Sequence, residues 1–220
     1  MKSKLLKTIV LTTSLIWAGN AAAADKPVGI TPTMKEASVM HGGKSVKIMR
    51  DQNNKAVVNP AFAKTSRPCP PFCIQPIVLA PGIETLGEQE IIDYLVRMSK
   101  GDKTILVVDS RTPDWVQKGT IPGAVNIPWT ALNPAKGADP ISIGEILEEK
   151  FNARNLEGLW DFRNARTLVM FCNGMWCGQS PNNIKNLLGF GYPADKIKWY
   201  RGGMQNWEIL GLTTVKPIQE

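Results

Sequence analysis

The chain lacks several residue patterns on which many enzymes and binding proteins depend. It has one histidine, His41, among 220 residues, so a Cys–His catalytic pair would rest on a side chain that we interpret as an ordinary loop residue. Arginine and lysine form no stripe interleaved with aromatic residues, so the net charge of +7 does not indicate nucleic-acid binding. With one histidine and two small groups of cysteines, we expect neither a metal nor a cofactor.

The sequence also has no apolar run long enough for a stable membrane span. The run over residues 9–18 is too short and is preceded by three lysines and followed by small residues ending at Ala24. This pattern predicts a signal peptide over residues 1–24, cleaved near Ala24, and a periplasmic protein; a retained membrane anchor is the alternative. No cysteine follows the run directly, so we expect no lipid anchor. Cleavage removes three lysines and no acidic residue and lowers the charge from +7 to +4.

Four cysteines fall into two closely spaced pairs, Cys69/Cys73 in CPPFC and Cys172/Cys177 in CNGMWC. In an exported protein, local pairing within each group is the simplest expectation. We predict a Cys69–Cys73 disulfide that braces a turn, and the alternative is a redox-active pair. The oxidation state of Cys172 and Cys177 stays open.

Residues 25–82 are irregular and are predicted to form an N-terminal extension that packs on the main domain. A strand is expected over residues 46–49, with Val57–Val58 as a possible partner across an Asn-Asn turn. Five prolines between residues 68 and 81 then predict a stiff connector that carries the CPPFC motif.

Residues 83–215 alternate between helical spacing and short continuous apolar runs. Strands are predicted over residues 104–108, 125–127, 167–171 and 196–200, and helices around residues 91–98, 141–151, 181–189 and Trp207. Such alternation predicts an α/β fold with a parallel sheet that helices cover on both faces. Asp109, Cys172 and Arg201 each follow a predicted strand, so we expect them at one edge of the sheet, where ligands gather.

Cys172 stands at the end of a buried strand, before a loop that carries Gly174 and Gly178. Ser180 and Pro181 follow as the predicted cap and first position of a helix. Inward-facing backbone amides and a helix N-terminus favour a thiolate over a thiol and bind anionic adducts on the sulfur. The loop therefore predicts sulfur chemistry at Cys172 that needs no histidine.

Four segments together are similar to the rhodanese (sulfurtransferase) family, with order and spacing that match over roughly residues 83–212. They are VVDSR at 107–111, GTIPGAVNIP at 119–128, LVMFCNGMWCGQS at 168–180 and YRGGMQNW at 200–207. The resemblance implies a persulfide on Cys172. It also implies substrate-binding positions at Asn173, Gly174, Met175, Trp176, Gly178, Gln179 and Arg201, whereas Asp109 and Arg111 hold turns beneath the loop.

The loop departs from the family pattern at Cys177, where many members have an arginine. No arginine lies between residues 172 and 180, which argues against phosphatase chemistry, since that requires a bidentate clamp on the oxyanion. The loss also weakens the case for thiosulfate as the donor. Cys177 is either a resolving thiol that attacks a loaded Cys172, or a packed side chain that stays reduced.

Three functions follow from these observations. The first is an exported sulfurtransferase that takes sulfur from a small anionic donor and passes it to a thiol acceptor. The second is a thiol-redox protein that uses Cys172/Cys177 with a periplasmic reductant, for example in chalcogen oxyanion reduction. The third is a non-catalytic binding module. The sequence does not specify the donor, the acceptor or the oligomeric state.

Overall fold

The computed structural model describes residues 26–217, so the predicted signal peptide over residues 1–24 lies outside the described part. Within residues 26–217, no helix is both long and apolar enough to cross a membrane. The strands are β1 Glu36–His41, β2 Lys44–Met49, β3 Glu84–Leu86, β4 Ile105–Asp109, β5 Val125–Asn126, β6 Arg154–Leu156, β7 Leu159–Asp161, β8 Thr167–Phe171 and β9 Ile197–Tyr200. The helices are α1 Glu88–Ser99, α2 Pro113–Val116, α3 Pro140–Glu145, α4 Gln179–Gly189 and α5 Gly203–Ile209, and α3 continues as a π-helix over Ile146–Lys150.

The central sheet has five parallel strands in the order β3-β9-β8-β4-β5. Its middle strands, β4 and β8, are almost wholly buried, as expected for apolar runs that face helices on both sides. Side chains of β8 alternate between two cores: Leu168 and Met170 face one, and Val169 and Phe171 face the other. The predicted α/β fold with a covered parallel sheet is therefore confirmed.

Helices divide between the two faces of the sheet. On one face, α3 and α4 bury Ile143, Ile184 and Leu187. On the other, α1 and α5 bury apolar side chains that include Leu95 and Trp207. Because the five strands are parallel, the loops that follow them meet at one edge of the sheet, the carboxyl edge.

The extension contributes to the second core. Its strands β1 and β2 form an antiparallel hairpin, and Val39, Ile48 and Phe62 pack in the same cluster as Ile91 and Leu95 of α1. The boundary between residues 82 and 83 stays a prediction. The structure shows that residues before position 83 also pack in the core on one face of the sheet.

The predicted partner of the 46–49 strand is wrong. Val57 is 88% exposed and lies in no strand, while β2 pairs with β1 across Gly42 and Gly43, whose φ angles are +56° and +75°. Two consecutive positive φ angles form the tight hairpin turn that suits two glycines. An Asn-Asn turn has no such advantage here, because the residues after it offer no buried side chain to pair with β2.

His41 is not the ordinary loop residue we predicted, because it ends β1. Its Nδ1 accepts the amide hydrogen of Gly123 at 3.1 Å, and its Nε2 lies 3.0 Å from the carbonyl oxygen of Lys216. One neutral tautomer, with the proton on Nε2, satisfies both contacts. The only histidine therefore links the extension to two distant segments of the main domain.

The connector that carries CPPFC lies against the loop after β8. Cys69 and Cys73 form a disulfide in the structure, and the Phe72 ring meets the Trp176 ring edge-on with centroids 5.6 Å apart. The Gln75 amide donates to the Met175 carbonyl at 2.8 Å. The disulfide loop is thus a neighbour of the Cys172 loop.

Replacing Cys69 and Cys73 together by alanine should destabilise the protein moderately. Closing so small a loop contributes about 2 kcal/mol in the chain-entropy account, which corresponds to a few degrees in Tm for a chain of this size. Thermal unfolding followed by circular dichroism measures the change. In the control, reductant should lower the Tm of the wild type but not that of the double variant; equal Tm values for all four samples would contradict a stabilising disulfide.

Candidate active site

The carboxyl edge of the sheet brings together three residues predicted from separate segments. Asp109 and Phe171 are register partners in β4 and β8, and Phe171 pairs in turn with Tyr200 of β9. Cys172 and Arg201 follow directly after those strand ends. This register places the start of the Cys172 loop between its two neighbouring strands, as predicted from the strand ends.

Helix α5 holds the start of the loop. The amides of Met204 and Gln205 donate to the carbonyls of Cys172 and Asn173, each at 2.9 Å. Gly203, with a φ of +54°, makes this approach possible: a Cβ there would collide with the Cys172 carbonyl and lie 2.7 Å from the Gly174 nitrogen. The Gly202-Gly203 turn after β9 therefore lets α5 contact the loop, because a larger residue at position 203 would push α5 away from it.

Cys172 is only 2% exposed, and its thiol donates to the Cys177 carbonyl oxygen at 3.4 Å. The Ser180 hydroxyl donates to Sγ at 3.2 Å, and the backbone amides of Ser180 and Gly174 lie close enough to the sulfur to lower its pKa. Trp199 donates from Nε1 to the same hydroxyl at 3.1 Å. Since Ser180 has one hydroxyl hydrogen and accepts from Trp199, that hydrogen is directed at Cys172.

These contacts set the protonation of the two thiols. Burial raises the pKa of Cys172, but hydrogen bonds from the Cys177 thiol, the Ser180 hydroxyl and the two amides outweigh it and bring this pKa down to about 7. Burial raises the pKa of Cys177, and its hydrogen bond to Cys172 and the negative charge there raise it further. Cys172 is therefore the thiolate of the pair, and Cys177 stays protonated beside it.

The sequence predicts Ser180 as the N-cap of the helix, and this prediction is wrong. Helix α4 begins at Gln179 with Gly178 as its N-cap, so Ser180 lies inside the first turn, where its hydroxyl turns to the sulfur instead. Gly178 itself has a φ of −90° and nothing within 4 Å of an added Cβ, so the loop does not require glycine there. At Gly174, a Cβ would lie 3.2 Å from Gln205 and 3.3 Å from the Trp176 Nε1, so a larger residue there would require these side chains to shift.

The other residues of the Cys172 loop contact different parts of the structure. The side chain of Asn173 is buried, and its Oδ1 has no hydrogen-bond partner among the described residues. Gln179 lies with Oε1 3.8 Å from the Cys177 sulfur. Met175 and Trp176 point into a groove of about 830 Å³ that they share with the extension.

The groove contains a residue that the sequence analysis missed. Arg67 of the extension stacks its guanidinium over Trp176, with its central carbon 3.7 Å from a ring centroid. Its position, more than 100 residues before the loop, gave no local signal. The only sequence signal for Arg67 was that a basic residue stands two positions before the CPPFC motif.

Asp109 and Arg111 form a buried ion pair. Arg111 donates from Nε and Nη2 to the Asp109 carboxylate, at 2.9 and 2.6 Å for the shortest contacts. It also donates to the Gly119 carbonyl at 2.7 Å, and Thr120 donates to Asp109 at the same distance. The pair joins the end of β4 to the 119–120 turn.

Arg201 extends from the end of β9 to the connector. Its guanidinium donates to the carbonyl oxygens of Gln75 and Pro76, with a shortest distance of 2.8 Å. These contacts hold the connector beside the loop, and a role of Arg201 in substrate binding stays a prediction. In residues 26–217, no group of three or more His, Cys, Asp or Glu side chains is arranged to hold a metal ion.

Comparison with known proteins identifies one family. The model of the family described as "Rhodanese-like domain" matches residues 92–210, more than half of the chain, and no curated protein matches. Among solved structures, the chain is similar to BH2092 of Bacillus halodurans (19% identity, TM-score 0.38, covering 56% of this chain and 70% of that one). It is also similar to a thiosulfate sulfurtransferase of Pseudomonas aeruginosa (18% identity, TM-score 0.41, covering 63% of this chain and 21% of that one). A third is the human single-domain sulfurtransferase TSTD1 (22% identity, TM-score 0.35, covering 56% of this chain and 93% of that one).

Ser180→Ala should raise the pKa of Cys172 from about 7 toward the ordinary thiol value of about 8.5, because the thiolate loses a hydroxyl donor. The pH dependence of iodoacetamide alkylation, read on the Cys172 peptide, measures this pKa. Ser142→Ala is the matched control, since Ser142 donates to Asp139 at the start of α3. An unchanged alkylation profile in Ser180→Ala would show that the hydroxyl does not stabilise the thiolate.

Proposed function

Because the chain belongs to the rhodanese-like domain family, we propose that it is a sulfurtransferase that carries sulfur as a persulfide on Cys172. The observation that supports this most strongly is the hydrogen bonding of the Cys172 sulfur, which brings its pKa to about 7 without a histidine. The thiolate is the nucleophilic form of cysteine.

The first half-reaction loads the sulfur. The Cys172 thiolate attacks the outer sulfur of an anionic donor, a sulfur–sulfur bond forms, and the donor's own sulfur–sulfur bond breaks with its electron pair leaving on the oxyanion. The product is Cys172–S–S⁻, whose charge is the same as that of the thiolate. The Ser180 hydroxyl and the amides of Ser180 and Gly174 stabilise the thiolate. The same donors suit the negative charge of the persulfide.

The second half-reaction unloads the sulfur. A thiolate acceptor, or cyanide, attacks the outer sulfur of the persulfide, and the Cys172 thiolate leaves. Neither half-reaction needs a group that carries a proton, which fits a site whose residues are cysteines, serine and backbone amides. We propose a thiol as the acceptor in the cell.

Export to the periplasm is part of the same proposal. The lysines and apolar run of residues 1–24 support it, and so does the Cys69–Cys73 disulfide, which persists in an oxidising compartment. The proposal extends to a mature chain that begins after Ala24.

Cys172→Ser should abolish sulfur transfer from thiosulfate to cyanide while leaving the fold intact, since the change is nearly isosteric and the loop donors remain. In the wild type, the rate of thiosulfate consumption should fall about tenfold per pH unit below pH 7, because protonation removes the thiolate whose pKa is about 7. Thiocyanate formation measured from pH 5 to 9 gives both results. Transfer by Cys172→Ser above the uncatalysed rate would contradict the role of Cys172.

A thiol-redox function is the second candidate, and the proximity of the Cys177 thiol, which lowers the pKa of Cys172, favours it. After loading, the Cys177 thiol would attack Cys172, form the Cys172–Cys177 disulfide and release the outer sulfur as HS⁻, with the Cys177 proton going to the sulfide. A dithiol reductant is then needed to restore both thiols. The closeness of Cys177 to Cys172 is what makes this step available.

Cys177→Ala separates the two functions. If Cys177 resolves the persulfide, loaded wild type should release sulfide before any reductant is added, whereas loaded Cys177→Ala should keep its sulfur until dithiothreitol or cyanide removes it, because neither acceptor needs a second protein thiol. Sulfide and thiocyanate assays on the same preparations, with Cys177→Ser as the isosteric control, measure both. Retention of the sulfur by loaded wild type until an acceptor is added would leave Cys177 as a packed side chain.

A further inference from the structure

Both cysteines of the CPPFC motif line the groove beside the Cys172 loop. Cys69 is exposed and Cys73 is half-buried, and they share this groove of about 830 Å³ with apolar side chains that include Ile74 and Ile209. A cavity of that size accommodates a small organic molecule. Any molecule that enters the groove therefore lies beside a disulfide.

The disulfide can open while the fold stays intact. Residues 63–83, all of which the structure describes, contain no helix or strand, so the bond between Cys69 and Cys73 joins no regular elements. Because the closed loop is short, opening it releases little chain. Exposed disulfides are the labile and catalytic ones, whereas structural disulfides resist reduction.

A cation lies along the disulfide loop. Arg67 stands two residues before Cys69 and lines the same groove. Its guanidinium carbon is 3.7 Å from the centroid of a Trp176 ring and 5.9 Å from that of Phe72. Phe72 directly precedes Cys73. The two rings therefore hold the guanidinium beside the disulfide loop.

No acidic side chain in the described part of the chain competes for Arg67. The ion pairs of residues 26–217 do not include it, and its Nε is buried without a hydrogen-bond partner among these residues. None of the described residues that line the groove is Asp or Glu. A cation next to a cysteine favours the thiolate. Arg67 is therefore placed to stabilise the thiolate that leaves when the disulfide is attacked.

We propose that Cys69–Cys73 is a redox site of its own, at which the disulfide oxidises an apolar organic dithiol bound in the groove. The inference goes beyond the proposed sulfurtransferase function, and it needs neither Cys172 nor a persulfide. The apolar lining binds the body of the dithiol, and the exposed sulfur of Cys69 is the point of attack.

The reaction is two successive thiol–disulfide exchanges. One thiolate of the dithiol attacks the Cys69 sulfur, a mixed disulfide forms, and Cys73 leaves with the electron pair as a thiolate beside Arg67. The second thiolate of the bound molecule then attacks that molecule's own sulfur in the mixed disulfide, and Cys69 leaves. The molecule departs as a disulfide and has given two electrons and two protons to the cysteines. The reverse exchange with an organic disulfide restores Cys69–Cys73.

The kinetic test compares dihydrolipoamide, a dithiol with an apolar chain, with dithiothreitol, which has no such chain. Alkylation with iodoacetamide after timed exposure of the folded wild type, read on the Cys69–Cys73 peptide, gives each rate constant. At equal thiolate concentration, dihydrolipoamide should react at least about tenfold faster, the factor that two buried methylenes supply. A rate that does not depend on dithiol concentration, or equal rate constants for the two dithiols, would overturn the inference.

Two variants separate the groove from the cation. Ile209→Ser should slow dihydrolipoamide and not dithiothreitol; Ile141→Ser is its control, because Ile141 is 75% exposed on α3 and does not line the groove. Arg67→Ala should slow both dithiols about threefold, the effect of roughly one pKa unit on the leaving thiol. Lys64→Ala, which removes a charge from the same segment, should change neither rate. If Ile209→Ser and Arg67→Ala both match their controls, the disulfide is structural and the inference fails.

Equilibrium with glutathione gives a test that does not depend on rates. Structural disulfides stay oxidised in glutathione buffers, whereas a disulfide whose thiolate form is stabilised is reduced more readily. The Cys69–Cys73 peptide of the wild type should be partly reduced in such buffers, and that of Arg67→Ala should be reduced less. A peptide that stays oxidised in every buffer would overturn the inference even if sulfur is transferred to cyanide. If the peptide is reduced as expected but no thiocyanate forms from thiosulfate, the proposed function fails and the redox site stands.

Discussion

The structure around Cys172 depends on one constraint: a negative sulfur that is 2% exposed has lost its water and needs other hydrogens. Hydrogen bonds to the charged form outweigh burial here, and the pKa falls to about 7. Each donor is placed by a different element: Ser180 by the first turn of α4, Trp199 behind it by β9, and Cys177 by the loop. The loop in turn keeps its course because α5 approaches it at Gly203. The parallel sheet is what brings these elements to one edge.

The extension is a part of this site and not an appendage. Gln205 of α5 joins the Trp176 ring to the extension backbone, and Arg201 joins the end of β9 to the connector. Between these two attachments lie Arg67 and the disulfide loop, which together make one side of the groove. The domain holds Cys172 and the Ser180 hydroxyl that donates to it, and the extension places Arg67 and Phe72 against Trp176.

Most of the fold could be predicted from the sequence, because β4 and β8 are continuous apolar runs and α1 and α4 have clear helical spacing. The site was predicted where it depends on strand ends, as with Cys172. It was not predicted where two roles compete for one residue. Ser180 has a good capping side chain, but the helix begins at Gln179, two residues before the predicted start at Pro181. The Ser180 hydroxyl donates to the Cys172 sulfur instead. Arg67 and the β1–β2 pairing were missed for other reasons. Arg67 contacts a ring more than 100 residues away, and no local pattern records that contact. The β1–β2 hairpin is local, and its signal was the Gly42-Gly43 turn, which competed with the Asn-Asn turn ten residues later.

The central claim is that this chain loads a sulfur atom onto Cys172. Mass spectrometry of the purified protein after incubation with thiosulfate or benzenethiosulfonate, digested with and without reductant, measures this directly. We predict that the Cys172 peptide gains the mass of one sulfur atom, that reductant removes the gain, and that the Cys69–Cys73 peptide is unchanged by the donor. A Cys172 peptide that stays unmodified with both donors, or that loses two hydrogens to Cys177 without ever carrying sulfur, would contradict the account.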